Sequence, residues 1–517
     1  MTAGAIAAPE TRVRAVRLVI PILLTAVAIR IAAWASAPYL VGVFHDDGVY
    51  ALLARAIASG NGFHYMQLPG APAATHYPPL YPLVLAAAWR IVPGFPGNLP
   101  TLLGLNSLFV GVAAAGWWRF AMARLGWNSG AAAVAALVST LASPTLALSG
   151  ALLSESLFLA LLWPALLLCE GDVDEVHRGR PWRAGIAIGA LMLVRTHALA
   201  LCIAVVIVLG MHKRWRDAAW VSLIVAALQL PWLLWTSIAA PHVAAPLYGA
   251  YGSYLGWFRT GLAEGGAPFL LATMRINAVE CWLLLRDRLV LGPPASLLLL
   301  TELIALAAIL RGSVSLVRRA RVTTVFIVVY VVILLAWPYA PWRFLWAVWP
   351  VVMLLAMEGV RSALVSAGRW RLVPAFAATL PAFAFFRTEL HAYAIRGWRA
   401  PAHEATAQIA PSITWVRNHT APTDVLLGEG EPVLSLYAGR DAAPPMSFTA
   451  REYLTPPDPA ESTDRLRAML VAVPARYVLS LLPATQQAAR ALVDTRPGLR
   501  ELARLPDSHT IIFEVVR

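Results

Sequence analysis

Long apolar stretches, separated by short polar and basic segments, recur along most of the chain. A helix needs about 20 apolar residues to cross the hydrocarbon core of a bilayer, which is roughly 30 Å thick. The apolar stretches lie near residues 18–37, 101–122, 131–148, 151–169, 184–195, 198–211, 218–238, 294–310, 323–338, 344–360 and 372–386. This pattern predicts a polytopic α-helical membrane protein with about eleven transmembrane helices.

Basic residues cluster between these stretches, and the clusters predict the orientation of the chain. Because Lys and Arg are enriched in cytoplasmic loops, all of the clusters are expected on the inner side. They are Arg12/Arg14/Arg17, Arg119/Arg124, Arg178/Arg180/Arg183, Lys213/Arg214/Arg216, Arg311/Arg318/Arg319/Arg321 and Arg361/Arg369/Arg371. The N-terminus is then inside, two long loops at 38–100 and 239–293 are outside, and a transmembrane domain (1–386) precedes an extracytoplasmic domain (387–517).

Composition supports the membrane class. The chain is 59% hydrophobic and only 13% charged, whereas a soluble domain has about 25% charged residues. The net charge of +13 is spread over clusters between apolar stretches, so nucleic acid is not an expected partner. The three cysteines lack the spacing of metal ligands, which argues against a zinc site and a disulfide framework.

The first apolar stretch is expected to remain attached to the protein. Residues 18–37 are longer than the usual core of a signal peptide, and they follow a basic segment. Ala35-Ser36-Ala37 imitates a cleavage site for signal peptidase. Cleavage there would leave the segment that follows without its membrane anchor, so we expect an uncleaved first helix.

The two outer loops carry different signals. In the first loop, residues 47–59 are expected to form a half-buried helix at the membrane interface, which ends at Gly60-Asn61-Gly62. The second loop is rich in aromatic residues with glycines between them, as is typical of the headgroup level of a membrane. We therefore predict an interfacial aromatic belt over 239–293.

Two neighbouring apolar stretches, 184–195 and 198–211, are too short to cross a bilayer unaided. Arg195-Thr196-His197 lies between them. A charged turn at membrane depth is tolerated where it lines a cavity or is packed in protein, which would place it at a functional site. A helical hairpin with a snorkelling arginine explains the same pattern, and the sequence leaves both interpretations open.

The last 131 residues, 387–517, are more polar and are punctuated by prolines. A helix is expected over 405–417, short buried strands over 425–427 and 477–481, and a terminal hairpin over 502–505 and 510–516. This indicates a small α/β domain. Gly428-Glu429-Gly430-Glu431 is too short and too acidic to be a phosphate-binding loop.

Two motifs in the first outer loop combine residue types that often act in catalysis or in ligand binding. They read Phe44-His45-Asp46-Asp47-Gly48-Val49-Tyr50 and His76-Tyr77-Pro78-Pro79-Leu80-Tyr81-Pro82. On a helix the side chains of Asp46 and Asp47 diverge by about 100°, so only one of them can point squarely into a cavity. One aspartate could then act as a base while the other caps the helix or binds a metal. It also remains open that both merely cap a helix beginning near Gly48.

These motifs resemble the GT-C superfamily of membrane glycosyltransferases. The branch with the protein O-mannosyltransferases and the lipid A aminoarabinose transferase is the most similar, since it has an acidic pair after the first span and then a proline pair. The acidic pair of that branch is usually Asp-Glu, where this chain has Asp46-Asp47. Its Lys-Pro-Pro-Leu element corresponds here to Tyr77-Pro78-Pro79-Leu80, so the lysine is absent. Softer similarities are Arg30, Ser154-Glu155, Arg195 and Trp342-Arg343-Phe344.

The resemblance implies an inverting glycosyltransferase of the bacterial inner membrane. Such an enzyme moves a sugar from a polyprenyl-phosphate carrier to an acceptor hydroxyl on the outer face of the membrane. The expected partners are the lipid-linked sugar donor, the lipid bilayer and an acceptor that is a glycan, a lipid or a protein. The principal alternative is a polytopic transporter or a flippase of the lipid carrier, although no inverted repeat is visible in the sequence.

The implied reaction assigns roles to particular residues. Asp46 is expected to be the general base, with Asp47 as a second catalytic candidate. Arg343 is the first candidate to bind the phosphate, because guanidinium meets phosphate oxygens in a bidentate manner. The other expected substrate-binding residues are Tyr50, His76, Tyr77, Glu155, Arg195 and His197. Here His76 or Tyr77 would replace the absent lysine, and Glu155 would position Arg195 or the acceptor.

Two alternatives stay open for these residues. Each of Arg30, Glu155 and Arg195 could instead belong to a purely structural ion pair within the membrane. Asp47 with Glu155 could hold a divalent cation, although no cofactor or metal is required by the sequence.

Overall fold

The computed structural model describes residues 9–34, 39–173, 180–292, 294–493, 495 and 498–516. Helices dominate as far as residue 395: α1 (Pro9–Trp34), α2 (Asp46–Ala58), α3 (Leu80–Ile91), α4 (Leu99–Leu125), α5 (Ser129–Thr140), α6 (Ser143–Ser149), α7 (Glu155–Val173), α8 (Pro181–Met192), α9 (Leu199–Met211), α10 (Trp215–Ala239), α11 (Tyr248–Tyr251), α12 (Tyr254–Arg286), α13 (Ala295–Arg319), α14 (Arg321–Ala336), α15 (Trp342–Ala347), α16 (Trp349–Ser366) and α17 (Leu372–Ile395). The imitated cleavage site at 35–37 lies outside the described residues.

The predicted class of polytopic helical membrane protein is confirmed, but the number of spans is not. Each predicted apolar window overlaps a helix. Six helices in the described ranges are long and apolar enough to cross a membrane, namely α4, α7, α10, α12, α13 and α16. Helices α5 and α6, bent by 60° against each other, pass the same test as a pair.

The second predicted loop, 239–293, is mostly helix. Helix α12 takes up 33 of its residues and is broken at Gly266, which has a non-helical backbone with φ 58°. Tyr254 and Asn277 both contact Trp337. The ring centroids of Tyr254 and Trp337 are 5.9 Å apart, and the Asn277 side-chain amide donates to the Trp337 carbonyl oxygen at 2.7 Å. A straight helix would place these two residues about 34 Å apart, so α12 folds back on itself at Gly266. The sequence analysis did not predict this helix, because glycines and a proline interrupt the apolar pattern.

The first predicted loop, 38–100, contains the expected helix, α2, and also α3, which was not expected. Nine of the thirteen residues of α2 are buried. The helix packs against α3 and against the C-terminal part of the chain. The helix is therefore more buried than the half-buried helix that the sequence predicted, because α3 and the C-terminal part of the chain pack against it.

The C-terminal domain is α/β, as predicted. Its elements are α18 (Ala400–His419), β1 (Leu426–Gly428), α19 (Glu431–Val433), β2 (Ala442–Ala443), α20 (Pro459–Ala472), β3 (Tyr477–Ser480), α21 (Pro483–Ala491), β4 (Gly498–Leu505) and β5 (Thr510–Val516). The sheet has the order β2-β1-β3-β5-β4, with β1 parallel to β2 and β3, and β5 antiparallel to β3 and β4. Helix α17 continues across residue 386, so the change of architecture comes after residue 395.

The C-terminal domain sits directly on the segment that leads into α2. The Val41 backbone N–H donates to the Tyr437 hydroxyl at 3.1 Å. A Cβ atom on Gly48 would lie 2.6 Å from the Cβ atom of Pro432. Because the two surfaces touch so closely, the residues on either side of this contact hold fixed relative positions.

Helices α13 and α16 pack backbone to backbone through two glycines. A Cβ atom on Gly359 would lie 1.8 Å from the Ala308 carbonyl oxygen, and one on Gly312 would lie 1.9 Å from the Leu355 carbonyl oxygen. Small residues that let backbones approach are a common basis of helix association in membranes.

We expect Gly359→Ala to lower the stability of the purified protein by about 1–3 kcal/mol, because the added methyl group forces α13 and α16 apart. The matched control is Gly104→Ala in α4, where an added Cβ atom meets no neighbour within 4 Å. Thermal unfolding in lipid nanodiscs, followed by tryptophan fluorescence, measures both variants. Equal midpoints for Gly359→Ala and Gly104→Ala would contradict this account of the packing.

Candidate active site

The two aspartates at the start of α2 point in different directions, as the helix geometry predicts. The Asp47 side chain turns back, and its carboxylate oxygens accept the backbone N–H groups of Gly42 at 2.9 Å and Phe44 at 3.1 Å. Asp47 is fully buried, and burial raises its pKa to about 6. It orders the turn before α2 and does not line the cavity described below.

Asp46 faces a cavity and is held by two donors. Its Oδ2 lies 2.6 Å from Nη1 of Arg343, and its Oδ1 accepts the Tyr77 hydroxyl at 2.7 Å. Burial acts to raise the pKa of this carboxyl. The charge of Arg343, the neighbouring His45 and the Tyr77 hydrogen bond outweigh burial and hold the pKa well below its usual range. Asp46 is therefore ionised at neutral pH.

A buried chain of alternating charges continues from Asp46 into the helical domain. Arg343, on α15, reaches Oε1 of Glu155 through Nε at 3.0 Å and Nη2 at 2.9 Å. Nη1 of Arg195 approaches the same oxygen at 2.8 Å. Glu155 is fully buried at the start of α7, and its second oxygen has no hydrogen-bond partner. Two arginines from distant parts of the chain thus converge on one carboxylate.

The turn between α8 and α9 carries Arg195 and His197 to the cavity. Arg195 has an extended backbone, and residues 196–198 form a single turn of 3₁₀ helix. The His197 ring stacks on Phe344 at 4.5 Å between centroids, and its Nε2 is buried without a partner. The sequence left open whether this turn lines a cavity or holds a snorkelling arginine. In the structure Arg195 is buried and ion-paired, and it does not snorkel.

Tyrosines support the wall of the cavity. The Tyr50 hydroxyl donates to Oγ of Ser154 at 3.1 Å, and Arg195 donates to the same Oγ at 3.1 Å. The rings of Tyr50 and Tyr77 meet edge to face at 5.0 Å between centroids. Tyr50 therefore links α2 to the residues that hold the arginines.

His76 lines the cavity as a neutral group. Its Nδ1 lies 2.9 Å from the Gly252 carbonyl oxygen, and its ring packs on Tyr254 at 3.8 Å between centroids. Burial lowers the pKa of His76 to about 4, although Asp46 opposes that shift. The Tyr77 hydroxyl is engaged with Asp46. Neither residue therefore supplies the positive charge of the lysine that the sequence lacks.

The cavity encloses about 360 Å³ and lies between the helical domain and the C-terminal domain. A volume of this order is typical of sites that bind small molecules. Of the sequence-predicted residues, Asp46, Tyr50, His76, Tyr77, Arg195, His197 and Arg343 line it. Glu155 lies behind the arginines, and Arg30 lines a separate cavity beside Trp398 and Arg399.

Sequence reasoning missed the contribution of the C-terminal domain. Glu431, Pro444, Met446 and Phe448 line the cavity from that side. Glu431 belongs to the Gly428–Glu431 segment, which the sequence analysis considered only as a phosphate loop. Two acidic residues beside glycines, just after a buried strand, were the available signal.

The described residues contain no cluster of three or more His, Cys, Asp or Glu side chains placed to hold a metal ion. Asp47 directs its carboxylate to backbone N–H groups, and Glu155 faces two guanidinium groups that would repel a cation. The structure therefore does not support the suggestion that Asp47 and Glu155 share a divalent ion.

No protein-family model and no curated protein sequence matches the chain. Solved structures do match it, among them two that cover nearly its full length. The crystal structure of ArnT from Cupriavidus metallidurans bound to undecaprenyl phosphate has a TM-score of 0.55 at 14% sequence identity, covering 96% of this chain and 98% of ArnT. The apo structure of the same protein gives a TM-score of 0.53 at 13% identity, with 97% and 98% covered.

The chain shares the fold of ArnT over nearly its full length. This confirms the resemblance that the acidic pair and the proline motif indicated. At this level of identity the match establishes the fold, and the roles of individual residues rest on the geometry described above.

We expect Glu155→Gln to destabilise the protein by about 3–5 kcal/mol, because it removes the carboxylate that neutralises the buried Arg195 and leaves Arg343 paired with Asp46 alone. Glu264→Gln, which removes an exposed carboxylate, is the control. Thermal unfolding in nanodiscs compares the two variants with the wild type. A Glu155→Gln protein as stable as the control would show that this chain of charges does not hold α7, α15 and the Arg195 turn together.

Proposed function

We propose that the protein is an inverting glycosyltransferase that moves a sugar from a polyprenyl-phosphate carrier to an acceptor hydroxyl, with Asp46 as the general base. The observation that carries this proposal is the contact between Asp46 and Arg343 in a cavity of about 360 Å³. An ionised carboxylate and a guanidinium side by side are the two groups that this chemistry requires. The ArnT structure bound to undecaprenyl phosphate supports a polyprenyl-linked donor.

Asp46 suits the role of base by its position and its charge. The acceptor hydroxyl must lose a proton as its oxygen bonds to the anomeric carbon. Asp46 is ionised and faces the cavity with 22% of its side chain exposed. The Arg343 ion pair makes it a weak base at rest. A donor phosphate that draws Arg343 towards itself would raise the basicity of Asp46 when the substrate is in place.

Arg343 is suited to bind the phosphate group that leaves the sugar. When the bond between the anomeric carbon and the phosphate oxygen breaks, the phosphate takes the electron pair and gains a negative charge. A planar guanidinium binds such oxygens in a bidentate manner and stabilises the charge that develops. Glu155 fixes Arg343 from behind, and Arg195 keeps the buried cluster electrically balanced.

Inversion follows from a single displacement. Of the two aspartates in the acidic pair, only Asp46 faces the cavity, because Asp47 is turned towards backbone N–H groups. Glu155 is enclosed by arginines. Among the predicted carboxylates, Asp46 alone is thus placed to act, and direct attack by the acceptor hydroxyl inverts the anomeric centre.

An outer-face location in the bacterial inner membrane is supported by the direction of α14. This helix begins at Arg321, within a basic cluster, and ends beside Trp337, which lines the cavity. Its 16 residues span about 24 Å. Since basic clusters mark the cytoplasmic side, the cavity and the C-terminal domain belong on the outer side.

An assay of sugar transfer identifies the acceptor as a glycan, a lipid or a protein. Membranes supplied with a panel of polyprenyl-phosphate sugars and cell-envelope acceptors would reveal which pair reacts. A transporter or a carrier flippase, the alternative from the sequence, would move the lipid across vesicles without consuming the donor. Flipping without sugar transfer would overturn the proposal.

Asp46→Asn is expected to lower sugar transfer by about 10²–10⁴-fold, because the amide cannot accept the acceptor proton. Asp47→Asn, next to it, should retain transfer per folded molecule while lowering the unfolding temperature, since it weakens the turn before α2. Transfer from the reactive donor is measured in nanodiscs for both variants, with folding checked by thermal unfolding. Full activity in a folded Asp46→Asn protein would remove Asp46 as the base.

Arg343→Lys is expected to weaken the binding of undecaprenyl phosphate by about tenfold, because an ammonium retains the charge but loses the planar bidentate contact. Binding is measured by calorimetry in nanodiscs. Arg216→Lys, an exposed position in a basic cluster, serves as the control. Unchanged affinity in Arg343→Lys would show that the phosphate binds elsewhere.

A further inference from the structure

His45 occupies a position between two carboxylates that the sequence analysis did not predict. Its Nε2 lies 2.9 Å from Oε1 of Glu431, and its Nδ1 lies 3.3 Å from the Tyr77 hydroxyl oxygen and 3.7 Å from Oδ1 of Asp46. The residue lines the cavity beside the proposed base. It therefore touches both the reaction site and the C-terminal domain.

The hydrogen bonds identify the protonation state of the His45 ring. The Tyr77 hydroxyl has one proton, and it donates that proton to the ionised Asp46 at 2.7 Å. The Tyr77 oxygen can then only accept from His45, so Nδ1 carries a hydrogen. Glu431 also accepts, so Nε2 carries a hydrogen too. A histidine that donates from both nitrogens is an imidazolium cation.

Glu431 is held rigidly in place. It is buried, and the Tyr251 hydroxyl donates to the same Oε1 at 2.7 Å. The preceding Gly430 has a left-handed backbone with φ 72°, where a Cβ atom would lie 2.3 Å from Cδ1 of Ile409. The next residue, Pro432, packs against Gly48 of α2. The carboxylate thus has little freedom to leave His45.

The backbone of His45 is strained, with φ 62° and ψ −67° at the start of α2. A non-glycine residue with positive φ is uncommon and persists where the surroundings hold it. Its contacts with Glu431 and Tyr77 supply such surroundings. Strain of this kind concentrates at functional sites.

The negative and positive charges in the cluster around His45 are equal in number. Three carboxylates (Asp46, Glu155 and Glu431) accompany three cations (His45, Arg195 and Arg343). The neighbouring His76 is neutral, and Tyr77 and Tyr251 are un-ionised donors. Burial acts to lower the pKa of His45, but Glu431 and Asp46 together raise it to about 10.

We infer that His45, held as an imidazolium by Glu431 of the C-terminal domain, is the second cation that serves the donor phosphate. This inference rests on the proposed function. In the reaction the acceptor oxygen bonds to the anomeric carbon, its proton passes to Asp46, and the bond to the phosphate oxygen breaks with the electron pair on phosphate. One negative charge thereby moves from Asp46 to the phosphate. His45 and Arg343, which flank Asp46 at rest, are placed to stabilise that charge, so the C-terminal domain completes the active site.

The protonation state is tested directly by ¹⁵N spectra of histidine-labelled protein in nanodiscs, with His45→Asn used to assign the signal. At pH 8 the wild type should show a protonated His45 ring. Glu431→Gln retains a hydrogen-bond acceptor but removes the charge, so its His45 ring should be neutral at pH 8. Glu404→Gln, an exposed carboxylate on α18, is the matched control and should leave the ring protonated. A neutral ring in the wild type would overturn the inference.

The effect on phosphate is tested by the affinity for undecaprenyl phosphate at pH 5.5 and pH 8. A histidine is charged below its pKa and loses the charge as pH rises through it, and removing Glu431 lowers that pKa. The affinity of Glu431→Gln relative to wild type should therefore be near one at pH 5.5 and about tenfold weaker at pH 8. Taking the ratio cancels the titration of the phosphate itself.

The outcomes separate the two proposals. Equal ratios at both pH values, with a wild type that binds, would overturn the role of His45 and leave the proposed function intact. A wild type that binds no undecaprenyl phosphate and transfers no sugar would overturn the proposed function and the role of His45 with it. The ¹⁵N spectra would still decide whether Glu431 keeps His45 charged.

Discussion

The buried run of alternating charges, Asp46–Arg343–Glu155–Arg195, is the interaction on which the rest of the site depends. Charges within an apolar helical domain are costly unless each is neutralised by a partner. Here Arg343 neutralises Asp46 and Glu155, and Glu155 neutralises both arginines. The four segments that carry these residues, namely α2, α15, α7 and the turn between α8 and α9, are thereby held together, and the cavity forms where they meet.

The two residues of the acidic pair, Asp46 and Asp47, have different roles. Asp47 stabilises the turn that precedes α2 through backbone N–H groups, and this turn sets the direction of Asp46. The turn also places His45, in a strained conformation, against Glu431. A structural aspartate, a proposed base and a cation therefore occupy three consecutive residues. Each has a separate role because a helix start sends neighbouring side chains in different directions.

The C-terminal domain has a larger part in the site than its position in the sequence indicates. It lies over α2 and supplies Glu431 along with apolar residues to the wall of the cavity. Sequence patterning predicted a small α/β domain correctly, but hydropathy contains no information on what such a domain covers. The helix within 239–293 was not predicted for a related reason. Glycines that break α12 also weaken its apolar periodicity, although tertiary contacts stabilise the helix.

The sequence by itself determined the class of the protein, the helix that follows the acidic pair and the divergence of Asp46 from Asp47. These features follow from local rules, namely the length of apolar stretches and the 100° step of a helix. Only the tertiary structure decided which charges are partners. Arg343 lies 297 residues from Asp46 and 188 from Glu155, and Glu431 lies 386 residues from His45. A buried ion pair forms because packing brings two distant charges into the same apolar surroundings, and no local periodicity encodes that meeting.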